Sequence, residues 1–236
     1  MWRLIYNAIA IPALYVGFHT AAKFSAKVRL GIAGRRGAVA KLETQLKTAA
    51  PRDHTVWFHF TSVGEFEQAK PLIEAIKDEV RIALTYFSPS VHATVEKFPY
   101  CDASAFLPLD TRHNAETLLK IIKPSLLIFS KFDIWPNLVW SASQHQVPVV
   151  LIAGTLRAKS KRLSFLARPF VKNIPQHISI HCTISELDSE RFRQICPPEA
   201  QIEIAGDTRF DSVYHRAMAV NEKTQFFPGQ STLNRH

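Results

Sequence analysis

The stretch Trp57-Phe58-His59-Phe60-Thr61-Ser62-Val63-Gly64-Glu65 decides how the rest of this chain is read. An apolar, aromatic-rich run stops at a turn of small residues, and a helical pattern then occupies 65–77. A run of that kind is a buried strand. Open α/β sheets bind their ligands outside the carboxyl ends of such strands. Ser62 and Gly64 let a bound group come close to the backbone, and the next helix offers unpaired N–H donors. Glu65 has two readings. It is an acid in a first helical turn, where the dipole favours it, or it is a carboxylate at the mouth of a cleft, placed to act as a general base.

Working outward, the same alternation repeats. Short apolar runs at 55–60, 81–86, 105–107, 126–129, 149–153, 178–184 and 201–204 read as strands. Helical patterns lie between them at 65–77, 90–97, 113–122, 136–144, 159–172 and 186–195. Such an alternation predicts an α/β fold, one Rossmann-like domain with a parallel sheet covered on both faces. The turn Tyr86-Phe87-Ser88-Pro89-Ser90 ends the second strand, with Ser88 or Ser90 as helix cap. Arg157, Lys159, Lys161, Arg162 and Arg168 follow the fifth strand, either as phosphate ligands or as a solvated helix face.

Composition bounds the partners. The 236 residues are 47% hydrophobic and 21% charged, as in a globular protein. Cys101, Cys182 and Cys196 are too few and too scattered for a disulfide framework or a zinc site, and fit a reducing compartment. A net charge of +9 calls for an anionic partner. No nucleic-acid-binding signature accompanies that charge, so a phospholipid surface or a phosphorylated substrate is expected. Residues 4–22 carry no Asp, Glu, Lys or Arg, and Lys23, Lys27, Arg29, Arg35 and Arg36 follow. That pattern predicts an apolar N-terminal helix that touches or spans a membrane, with its basic end in the cytoplasm. A core helix of a soluble domain is the alternative. Gly31 to Gly37, GIAGRRG, has no strand before it and fails the dinucleotide test. It reads as a basic flexible loop, either a solvated connector or a contact for phosphates.

A second stretch adds a family likeness. LLIFSKFDIWPNL (126–138) is again a strand running into a helix, with Pro136 in its first turn. Together with SVGE (62–65), FLPLD (106–110), PVVLIAGTL (148–156), ISELDSERF (184–192) and GDTRFD (206–211), it resembles the acceptor-side half of Kdo (3-deoxy-D-manno-octulosonic acid) transferases, in order, to about Ala217. The resemblance implies the N-terminal half of a GT-B glycosyltransferase, inverting and membrane-associated, acting in lipopolysaccharide biosynthesis at the cytoplasmic face of the inner membrane. Its donor would be CMP-Kdo, its acceptor a lipid A precursor, its lipid partners anionic, and it would need neither a metal nor another cofactor. Glu65 would be the catalytic base. Ser62, Val63, Gly64, Ser88, Lys131, Asp133, Trp135 and Asn137 would shape the acceptor site, and Arg35, Arg36 and Arg157 would meet lipid phosphates. The expected layout is an apolar helix at 1–24, a basic linker and helix at 25–50, the Rossmann-like domain at 51–217 and a polar tail at 218–236.

Two departures matter. The family pattern ETELWPN carries two acids; here Lys131, Phe132 and Asp133 precede Ile134-Trp135-Pro136-Asn137, so the first acid is reversed in charge. A lysine there either holds a phosphate or pairs with Glu65 and weakens it as a base. The second departure is length, since family members continue into a donor-binding domain. The expectation is therefore an acceptor half whose donor half is not in this chain, and the competing reading is a non-catalytic phosphoglycolipid-binding or membrane-interaction module. An unrelated nucleotide binder is disfavoured by the missing glycine-rich phosphate loop.

Overall fold

The computed structural model describes residues 1–131, 133–160, 163–164, 168–210 and 217. Seven strands, β1 (Thr55–Phe60), β2 (Arg81–Tyr86), β3 (Ala103–Phe106), β4 (Leu126–Ser130), β5 (Val149–Gly154), β6 (Ile180–Thr183) and β7 (Gln201–Ile204), form one sheet in the order β3-β2-β1-β4-β5-β6-β7. Every pairing is parallel. Parallel strands need long crossovers, and the helices that make them cover both faces. This is why β1, β3 and most of β2, β4 and β5 are buried along their length. The strands expected at 55–60, 81–86 and 201–204 are found at those bounds, and the others shift by at most two residues at either end.

The helices are α1 (Trp2–Ile5), α2 (Ile11–Phe24), α3 (Ala26–Arg35), α4 (Ala38–Thr48), α5 (Val63–Ile76), α6 (Pro89–Val95), α7 (Arg112–Ile122), α8 (Pro136–Gln144), α9 (Arg168–Val171) and α10 (Glu186–Arg193). A π-helical segment, Tyr6–Ala10, joins α1 to α2, so that one helix runs over Trp2–Phe24. It is long and apolar enough to cross a membrane. Of the helix expected at 159–172, α9 is the α-helical part among the described residues, and Lys161 and Arg162 lie outside them.

One expectation is corrected. Gly31 to Arg35 is not a flexible loop but the second half of α3, and only Arg36 and Gly37 break the helix. The glycines serve packing. A Cβ on Gly34 would lie 2.4 Å from Phe106 Cε2, and one on Gly31 would lie 3.4 Å from Pro89 Cγ. Small residues on that face bring α3 down onto the end of β3 and the start of α6. Gly37 (φ +71) then makes the turn into α4, a left-handed conformation that costs glycine nothing.

The strand order reverses between β1 and β4. Crossovers from β1 and β4 leave in opposite directions there and open a crevice at their carboxyl ends. The segments that leave those two ends are SVGE and SKFDIWPN.

Candidate functional site

At the switch point a cavity of about 510 Å³ is lined by Glu65, Lys131, Asp133, Thr155, Leu156, Arg157, Lys159 and Ser160. The ends of β1, β4 and β5 each supply part of it. Four residues singled out from the sequence, Glu65, Lys131, Asp133 and Arg157, are thereby brought together.

Glu65 is built in by its own helix. Ser62 is the N-cap of α5 and Glu65 is N3. Glu65 Oε2 accepts from Thr61 N–H at 2.6 Å and from Ser62 N–H at 2.9 Å, the carboxylate half of a capping box. The carboxylate therefore caps the helix and also lines the cavity. Ser130 Oγ donates to the Glu65 carbonyl at 3.1 Å and ties the end of β4 to the same turn. Gly64 sits exposed at N2, where an added Cβ would meet nothing closer than Ser62 Oγ at 4.0 Å. Glycine inside a helix costs up to about 1 kcal/mol relative to alanine, and no packing among the described residues requires it at this position.

Lys131 lies in the left-handed region (φ +57), and so does Ala153 (φ +50) on the neighbouring strand. For non-glycine residues this costs roughly 1–2 kcal/mol each. The conformation is held by Lys131 N–H donating to Ile152 O at 2.8 Å. Backbone strain of this size gathers where a fold aims side chains at a ligand.

The third wall is clamped by the segment ISELDSERF. Asp188 Oδ1 accepts from Leu156 N–H at 3.0 Å, and Arg191 Nη1 donates to Leu156 O at 2.7 Å. Ser185 caps α10 by accepting from Asp188 N–H at 3.2 Å. GDTRFD acts in the same way on α5: Asp207 accepts from the buried Gln68 amide at 3.2 Å, and Thr208 Oγ1 donates to Gln68 O at 2.6 Å. Paired with Arg209, Asp207 is held down at about 2. Asp211 of that segment lies outside the described residues.

The other predicted residues lie elsewhere. Ser88 stands at the N-cap position of α6 without a side-chain bond to the helix, its N–H donating to Thr61 O at 3.1 Å, and does not line the cavity. Arg35 does not line the cavity: its guanidinium stacks on Phe87 at 4.0 Å and donates to Phe87 O at 2.8 Å. Arg36 is exposed at the break after α3. Trp135 borders a neighbouring groove with Tyr6, Ile134 and Phe170, its ring tilted against Phe87 at 4.9 Å. Beneath it His59 is buried, bonded through Nδ1 to Thr85 Oγ1 at 2.9 Å, and desolvation holds its imidazole down at about 3.

Asn137 is a structural node and does not line the cavity. It is buried, donates through Nδ2 to the Asp110 carbonyl, and exchanges amide hydrogen bonds with Asn7 at 3.0 and 2.9 Å. Asp110, the last residue of FLPLD, caps α8. It accepts from Asn137 N–H at 2.9 Å, Leu138 N–H at 3.1 Å and Tyr6 Oη–H at 3.0 Å. Burial pushes the Asp110 carboxyl up to about 7, against the pull of those donors. The node fastens the N-terminal helix to the loop that carries Asp133 and Trp135. Arg3 reinforces it by donating to Trp140 O at 3.3 Å. The sequence reading missed this role for Asp110. An acid directly before the Thr111 cap of α7 was the available signal, and its partners lie 27 and 104 residues away.

The opposite face of the N-terminal helix is bare. Leu4, Ile9, Tyr15, Val16 and Phe24 are exposed, as is Leu30 on α3. Lys23, Lys27 and Arg29 lie among and after them.

Comparison with known proteins accords with this geometry. Solved structures of UDP-GlcNAc 2-epimerases from Methanocaldococcus jannaschii (TM-score 0.52, 16% identity) and Neisseria meningitidis (0.53, 13%) share the fold. The match covers 72% and 71% of this chain and 50% of each of theirs. Among curated proteins, the 3-deoxy-D-manno-octulosonic acid transferase of Haemophilus influenzae is 22% identical over 219 residues, 89% of this chain and 50% of that one. The enzyme of the same name from Chlamydophila psittaci is 28% identical over 177 residues, 72% of this chain and 40% of that one. The chain thus spans half or less of the length of these relatives. The family model for 3-deoxy-D-manno-octulosonic-acid transferase (kdotransferase) matches residues 29–212, and so takes in every wall of the cavity. The chain belongs to the Kdo transferase family, of which it carries the N-terminal glycosyltransferase domain.

Proposed function

We propose that this chain is the acceptor-binding half of an inverting glycosyltransferase that moves Kdo from CMP-Kdo to a lipid A precursor. The observation that carries this reading is the position of Glu65, held at the switch-point cavity by two backbone N–H groups inside the family-matched segment. A carboxylate fixed through Oε2 keeps Oε1 for the acceptor. In the proposed step the acceptor hydroxyl oxygen attacks the anomeric carbon of Kdo, and Glu65 takes the hydroxyl proton. The bond from that carbon to the CMP phosphate breaks, and its electron pair leaves on the phosphate. Attack from the face opposite the leaving group inverts the centre. The donor would be presented across the cleft by a second domain, as in the longer family members.

The same reading places the chain on the cytoplasmic face of the inner membrane. The N-terminal helix is fastened to the domain by Tyr6 and Asn7 on one side and bares Leu4, Ile9 and Val16 on the other. That two-sidedness favours a helix lying in the interface, with Lys23, Lys27 and Arg29 at anionic head groups.

The test is Kdo transfer from CMP-Kdo to a tetraacylated lipid A precursor by this chain, alone and with a separately expressed donor domain. Product that depends on Glu65 supports the reading. Binding of the precursor without transfer in either setting would turn it to the non-catalytic glycolipid-binding module.

A further inference from the structure

We infer that Lys131, Arg157 and Lys159 form a seat for a phosphomonoester carried by the acceptor sugar. The inference rests on the acceptor reading above and adds to it the group that anchors the sugar beside Glu65.

Three cations line one cavity at the ends of β4 and β5. Among the described residues none of them makes a side-chain hydrogen bond or an ion pair. Lys131 and Glu65 share the cavity without forming an ion pair, and the two N–H bonds to the Glu65 carboxylate come from Thr61 and Ser62. Of the two roles open to a lysine at this position, pairing with the base is therefore not the one the fold uses. Lys131 is also held in a left-handed backbone conformation (φ +57) that lysine does not favour. A strained residue whose charge has no partner among the described residues is a feature that their packing does not explain.

A phosphate monoester suits this arrangement. It carries nearly two negative charges and three acceptor oxygens, and it takes charge-assisted hydrogen bonds from lysine and arginine together. Thr155 adds a hydroxyl to the same wall, and about 510 Å³ admits a phosphorylated sugar unit. The phosphate would sit across the cavity from Glu65 and present a hydroxyl of the same sugar to it. A phosphate could also come from the nucleotide of the donor, and the experiment separates the two sources.

The experiment is a calorimetric titration of the whole chain with three probes: a deacylated glucosamine disaccharide bisphosphate, the same disaccharide without phosphates, and CMP. The bisphosphate should bind about ten-fold or more tightly than the plain disaccharide, as expected for charge-assisted bonds. Lys131→Gln and Arg157→Gln should each erase most of that preference and leave the plain disaccharide unaffected. Lys131→Arg should restore it, and Lys120→Gln, on the exposed side of α7, should change nothing. Melting curves for each variant establish that the fold is intact. Full preference for phosphate in both Gln variants overturns the seat and leaves the acceptor reading standing. Lys131-dependent binding of CMP with no effect on the sugars overturns it in favour of the donor phosphate. Failure of the wild-type chain to bind either sugar overturns the acceptor reading itself.

Discussion

Glu65 has a helix to cap and, in our account, a proton to accept, and one pair of substitutions separates these tasks. In Glu65→Gln the amide oxygen still receives the Thr61 and Ser62 N–H groups, because glutamine serves as well as glutamate in a capping box. The base is lost. In Glu65→Ala both are lost. Removing a cap costs about 1 kcal/mol, which for a domain of this size lowers Tm by roughly 2–4 °C. Removing a general base costs about 10²- to 10⁴-fold in rate. Glu65→Gln should therefore melt within about 1 °C of wild type and lose about two to four orders of magnitude in Kdo transfer. Glu65→Ala should lose the same activity and also melt about 2–4 °C lower. The assays are thermal melting of the chain and transfer of radiolabelled Kdo in the presence of a donor domain. Glu65→Gln retaining transfer within a few-fold of wild type would refute the reasoning and leave Glu65 a cap alone.

Other perturbations probe the neighbouring parts. Gly64→Ala should raise stability by about 0.5–1 kcal/mol, since the added methyl meets open space, yet weaken acceptor binding in titration; unchanged binding would show that no ligand approaches this turn. Lys131→Gly should relieve the left-handed strain and raise the melting temperature while losing the preference for phosphate, whereas a lower melting temperature would contradict the strain argument. His59 is held neutral by burial, with its folded pKa lowered to about 3, so the unfolded chain takes up a proton that the folded chain refuses. Its contribution to stability is complete above pH 6.5 and is lost as pH falls toward about 3. The stability difference between wild type and His59→Phe, from urea unfolding, should shrink by on the order of 3 kcal/mol between pH 7 and pH 4; a pH-independent difference would show that the ring is solvated. Replacing Leu4, Ile9 and Val16 together by serine should release the chain from anionic vesicles in a flotation assay without unfolding it, because these side chains are exposed; undiminished flotation would place the membrane contact elsewhere.

The sheet was legible because each strand is a short apolar run bounded by turn chemistry, and period and composition act locally. The site's first two walls were legible for the same reason, since the ligand edge of a parallel sheet follows its strands directly. Three things were hidden. Gly31 and Gly34 read as loop residues because glycine disfavours helix locally, yet the approach of α3 to Phe106 and Pro89 requires them. Tertiary packing overrode propensity there. Asn137 read as a ligand contact through the family motif, and Arg35 through its charge in a basic run. Their partners, Asn7 and Phe87, are 130 and 52 residues away, and no local pattern announces them. Lys159 was visible as one charge in a basic run, and only the fold selects it as part of the cavity wall.

The most direct test of the account is to map a soluble phosphorylated acceptor fragment onto the isotope-labelled chain by amide chemical-shift changes. The account predicts that the shifts gather at 61–65, 131–135 and 155–160, the carboxyl ends of β1, β4 and β5. Shifts gathered at the amino ends of those strands, or none at saturating fragment, would contradict it.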